Sequence, residues 1–217
     1  MSEITRDQMT TEQDGVGPMG LAVALLARKP LPAVKPAPAP LAPSRRHLTE
    51  LYRKVDAVFA RTRARYRKSM ACDSGCNGCC SRALEVTSAE AALVRDAFLA
   101  LPEGTRDTLK GRAAAAPGRC PGLGENGKCS VYAARPLACR VAGMPLRTAA
   151  PAGARQLPML QVCSSNFVGQ DLETLEAAAV LDMRTMGAVL ETISATHAGE
   201  MGAESSAKVL LSSVFQG

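Results

Sequence analysis

Four of the eight cysteines, Cys72, Cys76, Cys79 and Cys80, fall within nine residues, and Cys120, Cys129, Cys139 and Cys163 follow. Thiols three or four residues apart converge on one ion through a tight loop, which Gly75 and Gly78 allow to bend. The same glycines free backbone N–H groups to face thiolate sulfur, offsetting the negative charge that several thiolates accumulate. Asp73, Ser74 and Asn77 make the loop polar, which argues against free cysteines packed as small hydrophobes. An all-cysteine set suits Zn²⁺ or an iron–sulfur cluster and disfavours hard ions such as Ca²⁺ and Mg²⁺. His47 and His197 read as solvent or packing residues. Adjacent Cys79 and Cys80 are expected to diverge, serving different centres or different faces of one cluster. Eight thiols permit two four-cysteine sites, or one with four thiols left over. The clustered cysteines are expected to join some of Cys120, Cys129, Cys139 and Cys163 across a hairpin.

The rest of the chain must position these thiols with little aromatic material. Its 217 residues include 4 Phe, 3 Tyr and no Trp, so the core is built largely from Ala, Leu, Val and Met. Such a core needs help beyond hydrophobic burial. The longest apolar run, Met19 to Ala27, has nine residues where roughly 20 are needed to cross a bilayer. Glu3, Asp7, Glu12 and Asp14 before that run, and Arg28 and Lys29 after it, do not read as a signal peptide. A cytoplasmic location without membrane attachment is expected, where thiols stay reduced and a high cysteine count reads as metal or redox chemistry.

Residues 1–43 read as a disordered Pro/Ala-rich arm, extended and semi-rigid, whose prolines forbid a helix. Within it, Gly17 to Lys29 is too short for a stable isolated helix. From Ser44, taken as an N-cap, Leu48, Leu51, Tyr52, Val55, Val58, Phe59 and Tyr66 mark a helix to about Ser69. Its opposite face carries Arg45, Arg46, Arg53, Lys54, Arg61, Arg63, Arg65, Arg67 and Lys68 against Glu50 and Asp56. That concentrates the formal charge of +6 on one helix, residues 44–70, which reads either as a solvated face or as a contact for nucleic acid or an acidic protein surface. Thr87 and Glu90 form a capping box for a second helix running to Pro102, and a weaker one covers Glu103 to Ala116. Leu172, Leu175, Ala179, Leu181, Met183, Met186, Val189, Leu190 and Ile193 predict one long final helix ending near His197, with the methionines as core filling. The one hairpin signal is Glu125 to Lys128, where Asn126-Gly127 suits a two-residue turn with positive φ. The expected fold is mainly α: a small helical domain over 44–197 with an irregular Cys-rich subdomain containing one short β-hairpin, and a C-terminal tail over 198–217.

The run Cys72-x3-Cys76-x2-Cys79-Cys80, then Cys120-Pro121-Gly122-Leu123, Asn126-Gly127-Lys128-Cys129-Ser130-Val131-Tyr132 and Arg135-Pro136-Leu137-Ala138-Cys139-Arg140, resembles the YkgJ family of cysteine cluster proteins. The resemblance covers roughly Ser69 to Cys163 and implies a zinc- or iron-chelating domain, with zinc or an iron–sulfur cluster as cofactor. Gly122 stands where the family commonly has a bulky residue, which is expected to thin the packing without touching a ligand. Arg135 and Arg140 flank Cys139, where guanidinium groups either offset thiolate charge or pair with surface carboxylates. Tyr132 reads as a core anchor with its hydroxyl at the rim.

No acid–base constellation accompanies the cysteines, and no catalytic residue is assigned. The expected function is metal chelation with a structural, storage or sensing role. One alternative is an iron–sulfur-dependent enzyme of methyl-transfer or radical chemistry, since Cys72-x3-Cys76-x2-Cys79 has the spacing of radical S-adenosylmethionine enzymes. Against it, Gly78 replaces the usual aromatic, Cys80 adds a fourth thiol and no βα repeats follow. Others are a zinc-stabilised nucleic-acid-binding protein using helix 44–70, and a thiol redox protein using Cys79 and Cys80.

Overall fold

In the computed structural model, residues 41–72, 76–116, 118–149, 159–203 and 207–216 are described. The Pro/Ala-rich arm, up to residue 40, lies outside the described residues, as does Gly75 of the cysteine loop.

The apolar stripe of the first helix, α1 (Pro43–Arg65), buries Leu48, Leu51, Tyr52 and Val55 as its spacing demands. Ser44 does not cap it. The capping position is Ala42, Pro43 opens the helix where a missing N–H costs nothing, and Ser44 is buried in the first turn. There its N–H donates to Glu200 Oε1 at 2.9 Å and its hydroxyl to Glu200 Oε2, so a carboxylate from the far end of the chain satisfies the positive end of α1. The basic face is partly neutralised. Arg45 pairs with Asp96, Arg53 and Lys54 with Glu50, and Arg65 with Glu176, while Arg46, Arg61, Arg67 and Lys68 are exposed.

Helix α2 (Ser88–Leu99) begins with the expected capping box, Thr87 Oγ1 accepting from the Glu90 N–H while the Glu90 carboxylate accepts from the Thr87 N–H. Glu90 does more than cap. Only 3 % exposed, its Oε1 accepts from the Tyr52 hydroxyl of α1 at 3.0 Å and from the Leu137 N–H at 2.8 Å, while Oε2 takes the Thr87 N–H and hydroxyl. A buried carboxylate is tolerated when its lone pairs are filled in this way. The Leu137 bond fixes the single-turn helix α4 (Leu137–Arg140), which carries Cys139. Helix α3 (Glu103–Ala115) follows α2 directly and has the expected extent.

The last third departs from the expected long helix. Leu172–Thr174 and Ala177–Ala179 are separate 3-10 turns, and the final helix, α5, spans Met183–Glu200. The Asp182 side chain accepts from the Arg184 and Thr185 N–H groups and starts α5 there, a stop and restart that apolar periodicity conceals. Met183 and Met186 pack on the core as expected.

Short strands close the fold beyond the single hairpin expected. Strand β1 (Glu85–Thr87) pairs antiparallel with β5 (Lys208–Leu210). Strand β2 (Leu146–Thr148) pairs antiparallel with β3 (Met159–Gln161) and parallel with β4 (Leu181–Asp182). The segment expected as a tail therefore belongs to the core: after β5, Leu211, Val214 and Phe215 are buried. The fold remains mainly α with small sheets. Among the described residues no helix is long and apolar enough to cross a membrane.

Two hydrophobic clusters result. The first joins Leu48, Leu51, Tyr52, Val55, Ala89, Leu137, Val141, Met144, Leu181 and Ile193. The second joins Val86, Val94, Phe98, Leu109, Ala113, Val131, Leu211, Val214 and Phe215, with Cys120 and Cys129 packed against it. Phe215 meets Phe98 edge to face at 5.4 Å. Truncating this ring by Phe215→Ala is expected to cost about 3–5 kcal/mol in urea unfolding, whereas a true tail would leave the midpoint unmoved. Glu90→Ala strands the Tyr52 hydroxyl and the Leu137 and Thr87 N–H groups, and is expected to cost about 3 kcal/mol or more in the same measurement.

Candidate metal centre

The cysteines are delivered by several pieces of local structure. Cys79 and Cys80 lie on the 3-10 turn Gly78–Ser81. The Cys120 N–H donates to the Cys80 carbonyl at 3.0 Å, pinning the second cysteine segment beside the first. From Cys120 the chain turns and returns through a bridge between Leu123 and Cys129, the hairpin foreseen at Glu125 to Lys128. Its tip differs in kind from the expected two-residue turn. The Gly127 N–H closes a four-residue turn onto the Gly124 carbonyl, Gly127 takes φ 72°, and Asn126 contributes through its side chain by accepting from the Lys128 N–H at 3.0 Å. Cys139 stands on α4 between Leu137 and Val141, both in the first hydrophobic cluster. Cys72 lies beyond the end of α1, and Cys163 two residues after β3.

The thiols influence one another as two groups meeting at Cys79. Cys80 interacts with Cys79, Cys120 and Cys139, and Cys139 with Cys120, Cys79 and Cys129. Cys72 interacts with Cys76, Cys163 and Cys79. Cys79 and Cys80 do not diverge: on the tight 3-10 turn their thiols come within interaction distance of one another. Donation from Cys80 draws Cys79 down to about 6, and the same contact pushes Cys80 up. Burial pushes Cys120, Cys129 and Cys139 up, Cys139 to about 12. Backbone N–H groups act against that: Gly122 and Leu123 donate to Cys120, and Val131 to Cys129. Gly122 therefore does serve a candidate ligand. Its α-carbon also faces Phe215, where a Cβ would sit 3.5 Å from the ring, in ordinary contact.

Residues 71–163 match the sequence model of the CxxCxxCC family, described as "Putative zinc- or iron-chelating domain". This segment, 93 of the 217 residues, carries the cysteine pattern of the CxxCxxCC domain. Nothing among the curated proteins or the solved structures matches the chain. Within the CxxCxxCC domain the first gap, Cys72 to Cys76, holds three residues.

The donors of the CxxCxxCC domain fit a soft transition metal in chemistry: eight thiols and inward-facing backbone N–H groups. In geometry they are gathered and not closed, since among the described residues no three His, Cys, Asp or Glu side chains are already set to hold one ion. Neither histidine joins them. His47 is exposed on α1, and His197 on α5 lies near Ser44 Oγ and Glu200.

The two arginines flanking Cys139 pair with a carboxylate. Arg140, 5 % exposed, pairs with Asp56, donates to the Arg135 and Ala133 carbonyls at 2.8 and 2.6 Å, and lies 4.0 Å over the Tyr52 ring. Arg135 reaches the other Asp56 oxygen at 3.1 Å and still opposes the upward push of burial on the half-buried Cys129 thiol. Tyr132 is no core anchor: it is 62 % exposed, its ring lying under the Arg135 guanidinium at 3.9 Å. Sequence reasoning misses Asp56, Glu90, Gly143 and Asn166, which hold the cysteine-bearing segments. Glu90 had one legible signal, its capping box, and the others had none. Arg140→Met is expected to cost about 2 kcal/mol or more in urea unfolding, and Arg140→Lys to recover only part of it, because an ammonium cannot span Asp56 and two carbonyls.

Proposed function

We propose that this protein chelates zinc or iron through the thiols of its CxxCxxCC domain, and that the bound metal fastens the two hydrophobic clusters together. The observation that carries this reading is where the thiols come from. Cys139 rides on a helix of the first cluster, Cys120 and Cys129 pack against the second, and Cys79 and Cys80 lie between them in electrostatic contact with both. An ion held by thiols of both origins is a cross-link in a domain whose cores contain few rings.

Charge supports the same reading. The Cys139 thiol is pushed up first by burial, then by neighbouring cysteines, and in smaller part by the Glu90 carboxylate. Ionising several thiols there accumulates negative charge beside a buried carboxylate. Arg135 and Arg140, flanking Cys139, are paired with Asp56, and Arg135 and Arg82 act only in part on the thiols, at Cys129 and Cys79. A cation bound at the sulfurs supplies what is lacking, and the backbone N–H groups at Cys120 and Cys129 offset the remainder.

Protein purified without oxygen is expected to carry zinc or iron by mass-spectrometric metal analysis, with Cys120→Ser and Cys139→Ser each lowering metal content and melting temperature together. A brown protein with acid-labile sulfide would make the centre an iron–sulfur cluster, and a colourless one with zinc a thiolate site. Wild-type protein without either metal, or serine variants with unchanged metal content and melting, would contradict the reading.

A further inference from the structure

Asn166 lies outside the matched segment, and its side chain is only 2 % exposed. Its Oδ1 accepts from the Ala71 N–H at 2.8 Å, and its Nδ2 donates to the Gly143 carbonyl at 2.6 Å and to Cys72 Sγ at 3.1 Å. The amide cannot be turned over, because the Ala71 N–H requires an acceptor and the Gly143 carbonyl a donor. One N–H is thereby left for sulfur, where it favours thiolate over thiol.

Three further features surround the Asn166 amide. Gly143 has φ 90°, and a Cβ built there would run into Cys72 Sγ. Among the described residues Phe167, next to Asn166, is the one non-glycine with positive φ, at 54°. It is held there by donating its N–H to the Ser69 carbonyl at 2.6 Å and by packing its ring 5.5 Å from Tyr66. The Asn166 N–H donates to the Cys163 carbonyl at 2.8 Å, so the loop that delivers the amide also delivers Cys163. A left-handed phenylalanine, an obligatory glycine and a fully used buried amide do not assemble around a thiol of no consequence.

We propose that Asn166 is the positioning residue of Cys72, aiming it as a metal ligand and holding the Cys163 loop against it so that Cys72 and Cys163 serve one centre. The proposal rests on the chelation reading above. It goes further by separating a residue that binds no metal from those that do, and by pairing two cysteines 91 positions apart.

The test uses the full chain, stripped of metal and reduced, titrated with cobalt(II) without oxygen and followed by its thiolate charge-transfer band. The set is wild type, Asn166→Asp, Cys72→Ser, Cys163→Ser and the Asn166→Asp/Cys72→Ser double variant. Asn166→Asp keeps size and the acceptor for Ala71 while removing the donor. It is expected to weaken, by roughly 10-fold to 100-fold, the cobalt binding that Cys72→Ser and Cys163→Ser each remove, and to weaken nothing further in the Cys72→Ser background. A wild-type titration by Asn166→Asp, equal weakening in the Cys72→Ser background, or loss of different cobalt equivalents in the two serine variants would overturn the proposal while leaving chelation standing. A wild type that binds no cobalt, zinc or iron would overturn both. A mutation-free arm covers variants that fail to fold. Cadmium-loaded wild type is expected to show a scalar coupling between the Asn166 side-chain amide proton and bound cadmium through the Cys72 sulfur, and its absence in cadmium-bound protein would overturn the assignment.

Discussion

A carboxylate in a protein interior has to be surrounded by donors, and in this molecule the donors that surround Glu90 come from the parts that must be held together. Tyr52 brings α1, Thr87 the start of α2, and the Leu137 N–H the short helix that carries Cys139. The arrangement is demanding, because a missing donor leaves negative charge unsatisfied away from water. That demand makes it a register device. Tyr52 is itself held from above by the Arg140 guanidinium, which is anchored to Asp56 on α1, so α4 is fixed to α2 at its start and to α1 at its end. Burial and the Glu90 carboxylate keep the Tyr52 hydroxyl protonated, as a donor must be.

The cysteines gain their meaning from that framework. A domain with seven aromatic residues cannot rely on large side chains to join its clusters. Here one cluster presents Cys139, the other presents Cys120 and Cys129, and the adjacent pair Cys79 and Cys80 interacts with thiols of both. The hydrogen bond from Cys120 N–H to the Cys80 carbonyl keeps these segments adjacent without metal, while the thiols stop short of closing on one point. On the proposed chelation, ligation has a small local task, to deprotonate and draw in sulfurs that are already neighbours. On the Cys72 side the same economy is visible in the Asn166 amide and the side-chain-free space at Gly143.

What could be read from the sequence was whatever rests on local chemistry. The Thr87 and Glu90 capping box, the apolar stripe of α1, the extent of α3 and a hairpin near Asn126-Gly127 all depend on residues a few positions apart. The clustering of cysteines was equally plain. What failed depended on distant partners. Ser44 has the chemistry of a cap, but Glu200, 156 residues away, claims it. Leu172 to Ile193 keeps a helical spacing through two 3-10 turns and a strand, because Leu181 is drawn into a sheet beside Leu146. Residues 208–215 look like a tail until Val86 and Phe98 are seen to need covering. Asp56 and Asn166 are ordinary surface residue types by composition, and only the fold shows them pinning arginines and a thiol.

The central claim, that these thiols converge as ligands of one kind of ion and tie the fold together, is addressed most directly by X-ray absorption at the metal edge of the full chain purified without oxygen. The account predicts a first shell of sulfur at about 2.3 Å for zinc, close to four per metal, with no more than a minor nitrogen or oxygen contribution. A shell dominated by nitrogen and oxygen would place the metal on other residues and contradict it.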